Sequence, residues 1–238
     1  MELHVGTSGY SYKEWKGFFY PEDLPAGEML RWYGERLNGV EINNTFYRMP
    51  RASVLEDWAS QVPEAFRFSL KASQKITHHK RLKDAADETE YLVRTARVLG
   101  PRLGVILFQL PPNLKKDVER LRSFLALLPA DLPAAFEFRH ATWHDDEVHD
   151  ALRAHGAALC AADAEEGAED APVVPTAPWG YLRLRRPDYS SADLERWARR
   201  IREQPWERAF VFFKHEDAGA GPRMAASFRA IAGGDGPA

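Results

Sequence analysis

The 238-residue sequence is poor in cysteine and has no long apolar run. Cys160 is the only cysteine, which excludes an internal disulfide and favours a reducing compartment. No apolar run approaches the length needed to span a bilayer, so we expect no membrane partner. The chain enters a strand-like run at Leu3 without the basic and apolar regions of a signal peptide. These absences predict a cytoplasmic protein.

The sequence also lacks an excess of charge and the common metal and dinucleotide motifs. Its 35 acidic residues and 32 lysines and arginines give a formal net charge of -3, which excludes a global attraction to nucleic acid or to an anionic membrane. We find no zinc-type spacing of Cys and His, and no Gly-rich turn follows the first strand-like run. We therefore expect no metal and no cofactor, and any anion must be bound by a local group of cations.

Short apolar runs alternate with helix-period segments along the chain, which is typical of βα units around a parallel sheet. The eight expected strands are Leu3 to Ser8, Gly39 to Asn43, Phe66 to Lys71, Gly104 to Gln109, Ala135 to Arg139, Ala157 to Ala162, Gly180 to Arg185 and Ala209 to Lys214. Eight such units predict an α/β protein with a single (β/α)8 TIM-type barrel, for which a length of about 250 residues is typical. An open doubly wound sheet is the alternative.

Helical periodicity and stop signals give seven expected helices between these strands. They are Glu28 to Leu37, Ser53 to Val62, Ala85 to Leu99, Asp117 to Leu128, Asp145 to His155, Ser191 to Arg202 and about Pro222 to Ile231. The stretch from Asp163 to Trp179 has the composition of a loop. We expect one barrel domain over residues 1–232 and a disordered tail over residues 233–238.

The second expected strand carries polar side chains on one face. Val40 and Ile42 share one face of it, and Glu41 and Asn43 share the other. In a barrel one face packs on the outer helices and the other fills the interior, with the site at the carboxyl ends of the strands. Assigning the more apolar face to the helices predicts an interior and strand-end set of His4, Gly6, Ser8, Glu41, Asn43, Ser69, Lys71, Gln109, Glu137, Arg139, Asp163, Arg183, Arg185 and Lys214.

Eight members of this set are charged, and the basic ones are in excess. Three are acidic and five are basic: Glu41, Glu137 and Asp163, then Lys71, Arg139, Arg183, Arg185 and Lys214. Because an unpaired buried charge is costly, these groups must pair with one another, with water or with a ligand. The pattern predicts a net positive site that attracts an anion. The alternative is a structural network in which the carboxylates only neutralise the arginines.

The loops at the same end of the predicted barrel add aromatic, basic and histidine residues. Tyr10, Tyr12 and Trp15 follow the first strand, and Trp143 follows the fifth. These rings could stack on a base or a sugar, or pack as a lid over the barrel. Tyr47 and Arg48 are expected at the rim.

The loop after the third strand, from Lys71 to Lys83, contains no acidic residue and suits phosphate or carboxylate groups. His78 in this loop and His215 after the eighth strand are candidate proton carriers, because histidine exchanges protons near neutral pH.

Several co-linear segments resemble the signature segments of the domain-of-unknown-function-72 family, the YecE-like proteins. They are GTSGYSYKEWKGFFYP from Gly6, VEINNTFYRMP from Val40, ITHHKRL from Ile76, LFQLPP from Leu107 and FEFRHATW from Phe136. The resemblance runs from Gly6 to about Ile231 and implies a TIM-type barrel of a bacterial or archaeal cytosolic protein. It implies no particular activity or set of catalytic residues.

The chain departs from this resemblance after its last two strands. It has Arg185-Arg186 where many relatives have His-Gly, and Phe213-Lys214-His215 where Asn-type residues are common. This departure suggests a shifted specificity or a different charge at the site.

From the residues we expect a hydrolase-type enzyme that uses no metal or only a weakly bound one. Its expected partner is an anionic small molecule, phosphorylated or nucleotide-like, or a nucleic-acid fragment. Glu41 or Glu137 is the expected general acid or base, and the arginines and lysines hold the anion. The catalytic candidates are Glu41, Glu137, Asp163 and His78. The candidates for substrate binding are Tyr10, Tyr12, Trp15, Asn43, Tyr47, Arg48, Lys71, Gln109, Arg139, Trp143, Arg183, Arg185, Lys214 and His215.

Three alternatives stay open at this stage. A glycoside hydrolase would use Glu41 and Glu137 as its acid and nucleophile, with the aromatic residues as sugar platforms. A divalent metal held by the three carboxylates and His215 is disfavoured, because nearby arginines compete for the carboxylates. From another class, a non-catalytic protein would bind single-stranded nucleic acid through its basic and aromatic loops. The sequence leaves the oligomeric state open.

Overall fold

The computed structural model describes residues 1–163, 172–214 and 217–233, and in them eight parallel strands close into one barrel. The strands follow chain order around the barrel, and β1 closes it by pairing with β8, His4 opposite Phe210. Their bounds are β1 Glu2–Ser8, β2 Gly39–Ile42, β3 Arg67–Lys71, β4 Leu103–Gln109, β5 Ala134–Glu137, β6 Ala158–Ala162, β7 Trp179–Leu184 and β8 Arg208–Phe213. This confirms the predicted (β/α)8 barrel and excludes an open sheet.

Seven α-helices lie in the described residues, after β1 to β5, β7 and β8. They are α1 Met29–Gly34, α2 Ala52–Ser60, α3 Ala86–Ala96, α4 Val118–Leu125, α5 Asp146–His155, α6 Ser191–Arg202 and α7 Ala220–Gly233. Between β6 and β7 the described part of the connection, residues 172–178, contains no helix, as the loop composition predicts. Helix α7 includes Gly233, the first residue of the expected tail, and residues 234–238 lie outside the described part of the chain.

Local sequence signals set several helix ends. Asp117 and Asp145 accept hydrogen bonds from backbone NH groups in the first turns of α4 and α5. Ser190 and Asp193 form a reciprocal capping box at the start of α6. Gly156 ends α5 in the left-handed region, at a φ of 71°, where glycine has no steric penalty. These signals set the residues at which the three helices begin and at which α5 ends.

The barrel interior divides into an apolar part and a charged carboxyl end. Residues Val105, Leu107, Cys160, Tyr181, Phe210 and Phe212 belong to the apolar interior cluster. His4 stacks on Phe210 in the interior, with ring centroids 4.9 Å apart. Cys160 is a buried core residue, as expected for a lone cysteine in an apolar run, and burial raises the pKa of its thiol. The apolar cluster fills the barrel interior, and the charged side chains lie at the carboxyl ends of the strands.

Candidate functional site

Arg183 joins two buried glutamates at the carboxyl end of the barrel. Its Nη2 donates to Glu41 Oε1 at 2.8 Å, and its Nη1 donates to Glu137 Oε2 at 2.6 Å. Arg183 Nε also contacts Glu41 Oε1, at 3.2 Å. Glu41 is fully buried on β2, Glu137 is the last residue of β5, and Arg183 lies on β7. The alternation of strand side chains explains this meeting, because all three project into the interior.

Neutral donors add hydrogen bonds to both carboxylates. Ser8 Oγ donates to Glu41 Oε1 and Tyr181 OH donates to Glu41 Oε2, each at 2.7 Å. Asn43 Nδ2 contacts Glu41 Oε1 at 3.3 Å. Gln109 Nε2 donates to Glu137 Oε2 at 2.8 Å. Glu41 thus has partners for both of its oxygens, and Arg139 Nε bonds the remaining oxygen of Glu137, Oε1, at 3.3 Å. These bonds remove most of the penalty for burying a charge.

The network keeps both carboxylates ionised at neutral pH. Burial raises the pKa of Glu41, but the charge of Arg183 and the hydrogen bonds outweigh burial and hold this pKa below its ordinary value. Burial also raises the pKa of Glu137, but the charges of Arg183, Arg185 and Arg139 outweigh burial and lower this pKa to about 2. Neither carboxylate carries a proton to donate near neutral pH.

Arg139 and Arg185 form an outer layer of positive charge over Glu137. Arg139 Nε lies 3.3 Å from Glu137 Oε1, and Arg185 Nη1 lies 3.5 Å from the same oxygen. The Arg139 side chain is 39% exposed, whereas Glu137 is 2% exposed. Solvent therefore reaches the arginines of this layer and not the carboxylate beneath them.

Asp163 belongs to a separate structural cluster beside β7. Its Oδ1 accepts from the backbone NH of Arg185 at 2.6 Å, and its Oδ2 accepts a short hydrogen bond from Tyr189 OH. Arg186 Nε lies 3.6 Å from the same carboxylate. The sequence does not predict Tyr189 or Arg186 for this cluster, because residues two and five positions past the end of a strand follow no periodic pattern. Asp163 fixes the turn after β7, and this geometry gives its carboxylate a structural role in place of the expected catalytic one.

Lys71, the last residue of β3, is a half-buried amine beside the glutamate network. Its Nζ lies 4.3 Å from the centroid of the Phe46 ring. Among the residues that the structure describes, no carboxylate lies within 4.0 Å of this amine. Burial, followed by the charge of Arg183, lowers the pKa of Lys71 to about 8, although Glu41 and Glu137 oppose the shift.

His78 also contacts Phe46 and lies in a π-helical turn from Lys75 to His79. Its ring meets the Phe46 ring edge to face at 4.9 Å, and its Nδ1 lies 2.9 Å from Thr77 Oγ1. Partial burial and then the charge of Lys71 lower the pKa of His78. The imidazole is therefore neutral at neutral pH and can accept a proton.

A strained segment follows this turn. Arg81, Leu82 and Asp84 adopt positive φ values of 51°, 68° and 50°, which are uncommon outside glycine. Lys80 Nζ fastens the segment by donating to Asp84 O at 2.6 Å and to Glu88 Oε2 at 2.7 Å. Such strain persists only where surrounding contacts over-determine the backbone.

The two tryptophans expected as ligand platforms are core residues. Trp15 and Trp143 are both fully buried. Trp143 stacks on Phe138 at 4.6 Å and donates its Nε1 hydrogen to Leu114 O at 2.7 Å. A ring with no exposed surface offers no face to a ligand, so the lid-packing alternative describes these loop residues better.

The remaining candidates lie around the rim. Tyr10 packs edge on against Trp58, with centroids 6.4 Å apart, and Tyr12 OH donates to Ser8 O at 2.7 Å. Tyr47 is 72% exposed. Arg48 and Lys214 are also exposed, and His215 lies outside the described residues.

The described residues contain no group of three or more His, Cys, Asp and Glu that could hold a metal ion. The expected metal alternative depended partly on His215, and Arg183 already occupies both glutamates. In the same part of the chain, every helix is too short or too polar to cross a membrane.

The fold and this charged cluster define the class: a (β/α)8 barrel with ionisable side chains at the carboxyl ends of its strands. Within that class, the chain belongs to the family described as "Protein of unknown function DUF72", whose family model matches residues 4–237. The resemblance carried by the sequence segments is thereby confirmed.

Two curated relatives match part of the chain. UPF0759 protein YunF of Bacillus subtilis (strain 168) is 29% identical over 149 residues, which cover 59% of this chain and 52% of that protein. UPF0759 protein YecE of Escherichia coli (strain K12) is 30% identical over 140 residues, 58% of this chain and 48% of that protein. The chain thus spans about half the length of the curated relatives it matches.

Solved structures match nearly the whole chain. A DUF72 family protein from Thermotoga maritima MSB8 aligns with a TM-score of 0.85 at 27% identity, over 97% of this chain and 99% of that one. A DUF72 family protein from Enterococcus faecalis V583 aligns with a TM-score of 0.74 at 17% identity, over 97% and 95%. The second likeness supports the fold alone.

Proposed function

We propose that the protein is a hydrolase-type enzyme for a small anionic substrate, phosphorylated or nucleotide-like, bound at the carboxyl end of the barrel. The observation that carries the proposal is an excess of positive charge. Two glutamates there face four cations: Lys71, Arg139, Arg183 and Arg185. We call these six residues the mouth. Asp163 does not offset the excess, because it pairs with Arg186.

Arg139 is the best placed group for the anion. Among the described residues its guanidinium bonds only through Nε, to Glu137, and its side chain is well exposed. A guanidinium presents a fork of NH donors that matches the oxygens of a phosphate or a carboxylate. Arg185, which follows β7, contacts the same glutamate and adds its charge. Arg183 is buried beneath them and contributes its charge to the site.

His78 is the proposed proton carrier, and the glutamates take a different role from the one the sequence suggested. His78 is neutral at neutral pH, so it can accept a proton from water or from a substrate. Glu41 and Glu137 are ionised and occupied by Arg183, so they position that arginine. A glycoside mechanism needs one carboxyl group that stays protonated, and the lowered pKa values of both glutamates do not support it.

Phosphate binding tests the anion site. Isothermal titration with inorganic phosphate should show binding that weakens about tenfold in Arg139→Gln, the usual scale for one charged hydrogen bond. Arg153→Gln is the matched control, because Arg153 also pairs with one carboxylate and is 45% exposed, but lies on α5. Equal weakening in both variants, or no binding at all, overturns the anion site. Tight binding of an oligothymidylate without phosphate binding would favour the nucleic-acid alternative.

Turnover tests the proposed chemistry separately from binding. A panel of phosphomonoesters and nucleotides should reveal a substrate whose hydrolysis falls in His78→Gln and persists in His79→Gln. His79 is the adjacent, exposed histidine and controls for the loop. Phosphate binding should survive in both variants. If hydrolysis is equal in the two, His78 is not the proton carrier.

A further inference from the structure

We propose that the Lys71 amine is a nucleophile that forms an imine with the aldehyde or ketone group of a small anion. The recognition of the anionic group rests on the proposed function. The covalent step rests on Lys71 itself and goes beyond that function.

Hydrogen bonds fix the backbone of Lys71 at the end of β3. Thr45 Oγ1 donates to Lys71 O at 2.7 Å, and the next residue, Ala72, donates its NH to Leu107 O at 2.9 Å. The side chain is half-buried, and its Nζ stands over the face of Phe46. A rigid strand end, an aromatic wall and partial exposure give a small carbonyl compound a defined approach to the amine.

The Lys71 amine lies near two carboxylates without pairing with either of them, unlike Lys80 and Lys116. Lys80 bonds to Glu88 at 2.7 Å, and Lys116 lies 3.1 Å from Asp145. Lys71 lies beside two glutamates, but both are held by Arg183 and by neutral donors. No described carboxylate reaches its Nζ. No direct ion pair therefore stabilises the protonated form of this amine.

The surroundings also favour the neutral form of the amine. Burial and the charges of Arg183 and Arg139 lower the pKa of Lys71 to about 8, against the opposing charges of Glu41 and Glu137. An amine with a pKa near neutrality is the usual condition for a lysine that attacks carbonyl groups. A useful fraction is unprotonated at pH 7 to 8, whereas an ordinary lysine is almost fully protonated there.

The chemistry balances without an oxidant or a reductant. The Nζ lone pair attacks the carbonyl carbon, and the carbonyl π electrons move to oxygen. A proton then passes from nitrogen to oxygen, with solvent or the neutral His78 imidazole as the carrier. Solvent then protonates the hydroxyl group, which leaves as water while the nitrogen lone pair forms the C=N bond of a protonated imine. Its positive nitrogen withdraws electrons from the neighbouring carbon, and addition of water later restores the amine.

Reductive trapping tests the inference directly. The protein is treated with glyoxylate and sodium cyanoborohydride at pH 7.5, and adducts are located by peptide mass mapping. Lys71 should be modified roughly tenfold faster than Lys83, because its larger neutral fraction outweighs its lower basicity. Lys83 is an exposed lysine of the same loop, so Lys83→Arg should leave the Lys71 adduct unchanged. Modification of Lys71 no faster than that of Lys83 overturns the inference.

Two variants of Lys71 guard against a trivial loss of folding. Lys71→Arg keeps the positive charge and should remove the fast adduct while the protein stays folded. Lys71→Cys, alkylated with 2-bromoethylamine, restores an amine of nearly the same length and should restore the adduct. Cys160 is buried, so the alkylation is selective for the new thiol. A fast adduct that persists in Lys71→Arg contradicts the assignment.

Propanal, which has no charge, separates this inference from the proposed function. If the mouth binds the anionic group, glyoxylate should trap on Lys71 faster than propanal, and Arg139→Gln should remove that preference. Fast trapping of both compounds at equal rates would support the imine and overturn the anion site. Phosphate binding without fast trapping of either compound would overturn the imine and leave the anion site standing.

Discussion

The glutamates and the lysine at the mouth lie side by side but are held in opposite ways. Glu41 and Glu137 are buried and ionised, and all four of their carboxylate oxygens are bonded, by Arg183, Arg139 and neutral donors. Lys71 is half-buried and, among the described residues, touches an aromatic ring and no carboxylate. Removing a group from the saturated network leaves buried partners unpaired, whereas removing Lys71 does not. Stability should therefore depend on the glutamate network, and reactivity on the basic groups beside it.

Loss of Arg183 should give the largest effect on stability. Arg183→Met leaves two buried carboxylates without their shared cation, which should cost about 3 to 5 kcal/mol in the free energy of unfolding, measured with urea. The remaining carboxylates should take up protons, so the variant should lose less stability than the parent on mild acidification. Arg196→Met removes an exposed pair with Asp193 and should cost less than about 1 kcal/mol. A similar small cost for Arg183→Met would contradict the saturated network.

The pH dependence of the free energy of unfolding should report the lowered pKa of Glu137. Its folded pKa is lowered from 4.5 to about 2, so it contributes stability that is complete above pH 4.5 and is lost as pH falls towards 2. The full contribution is about 3 kcal/mol by this linkage. Glu137→Gln should flatten the stability profile in that window, whatever its stability at neutral pH. Glu119→Gln, at a side chain that is 82% exposed, should keep the slope of the parent.

A single neutral donor should have a smaller effect. Tyr181→Phe removes the hydroxyl that bonds to Glu41 Oε2 inside the barrel and should cost about 1 to 3 kcal/mol, because the carboxylate loses a partner that water cannot replace. Tyr91→Phe on α3 is the control, since Tyr91 is 48% exposed, and should be close to neutral. Equal costs for the two variants would show that the neutral donors contribute little to the free energy of unfolding.

The smallest expected effect is on the titration of His78. The charge of Lys71 is one cause of its lowered pKa, so Lys71→Met should raise the pKa of His78. Histidine resonances followed by NMR against pH measure this change, and Lys83→Met controls for the loss of a nearby surface charge. An unchanged His78 in Lys71→Met would show that the two groups do not act on each other.

Much of the fold and part of the mouth follow from the sequence, because both depend on periodicity. Apolar runs locate all eight strands to within two residues at each end. Strand alternation also brings Glu41, Glu137 and Arg183 together, since side chains of one parity share the interior. The choice of partner is a different matter. The sequence grouped three carboxylates with five cations without assigning pairs, whereas Arg183 holds both glutamates in the structure.

Features that follow no periodic pattern could not be predicted from the sequence. The loop tryptophans Trp15 and Trp143 pack in the core, and no pattern distinguishes a buried loop aromatic from an exposed one. The left-handed backbone at Arg81 and Leu82 lacks the glycine that ordinarily marks such positions. Tyr181 had a usable signal, because it shares the interior parity of Arg183 two residues later on β7. The reactive character of Lys71 depends on which neighbours are already paired, and only the structure gives that.

Competitive acetylation of Lys71 against pH tests the central contrast most directly. Trace acetic anhydride, with peptide mass mapping from pH 6 to 11, reports the neutral fraction of each lysine amine. We expect a midpoint for Lys71 near pH 8, below the ordinary value of 10.5. Phosphate bound beside the protonated amine should raise this midpoint. A midpoint at the ordinary value, with no response to phosphate, would contradict the account.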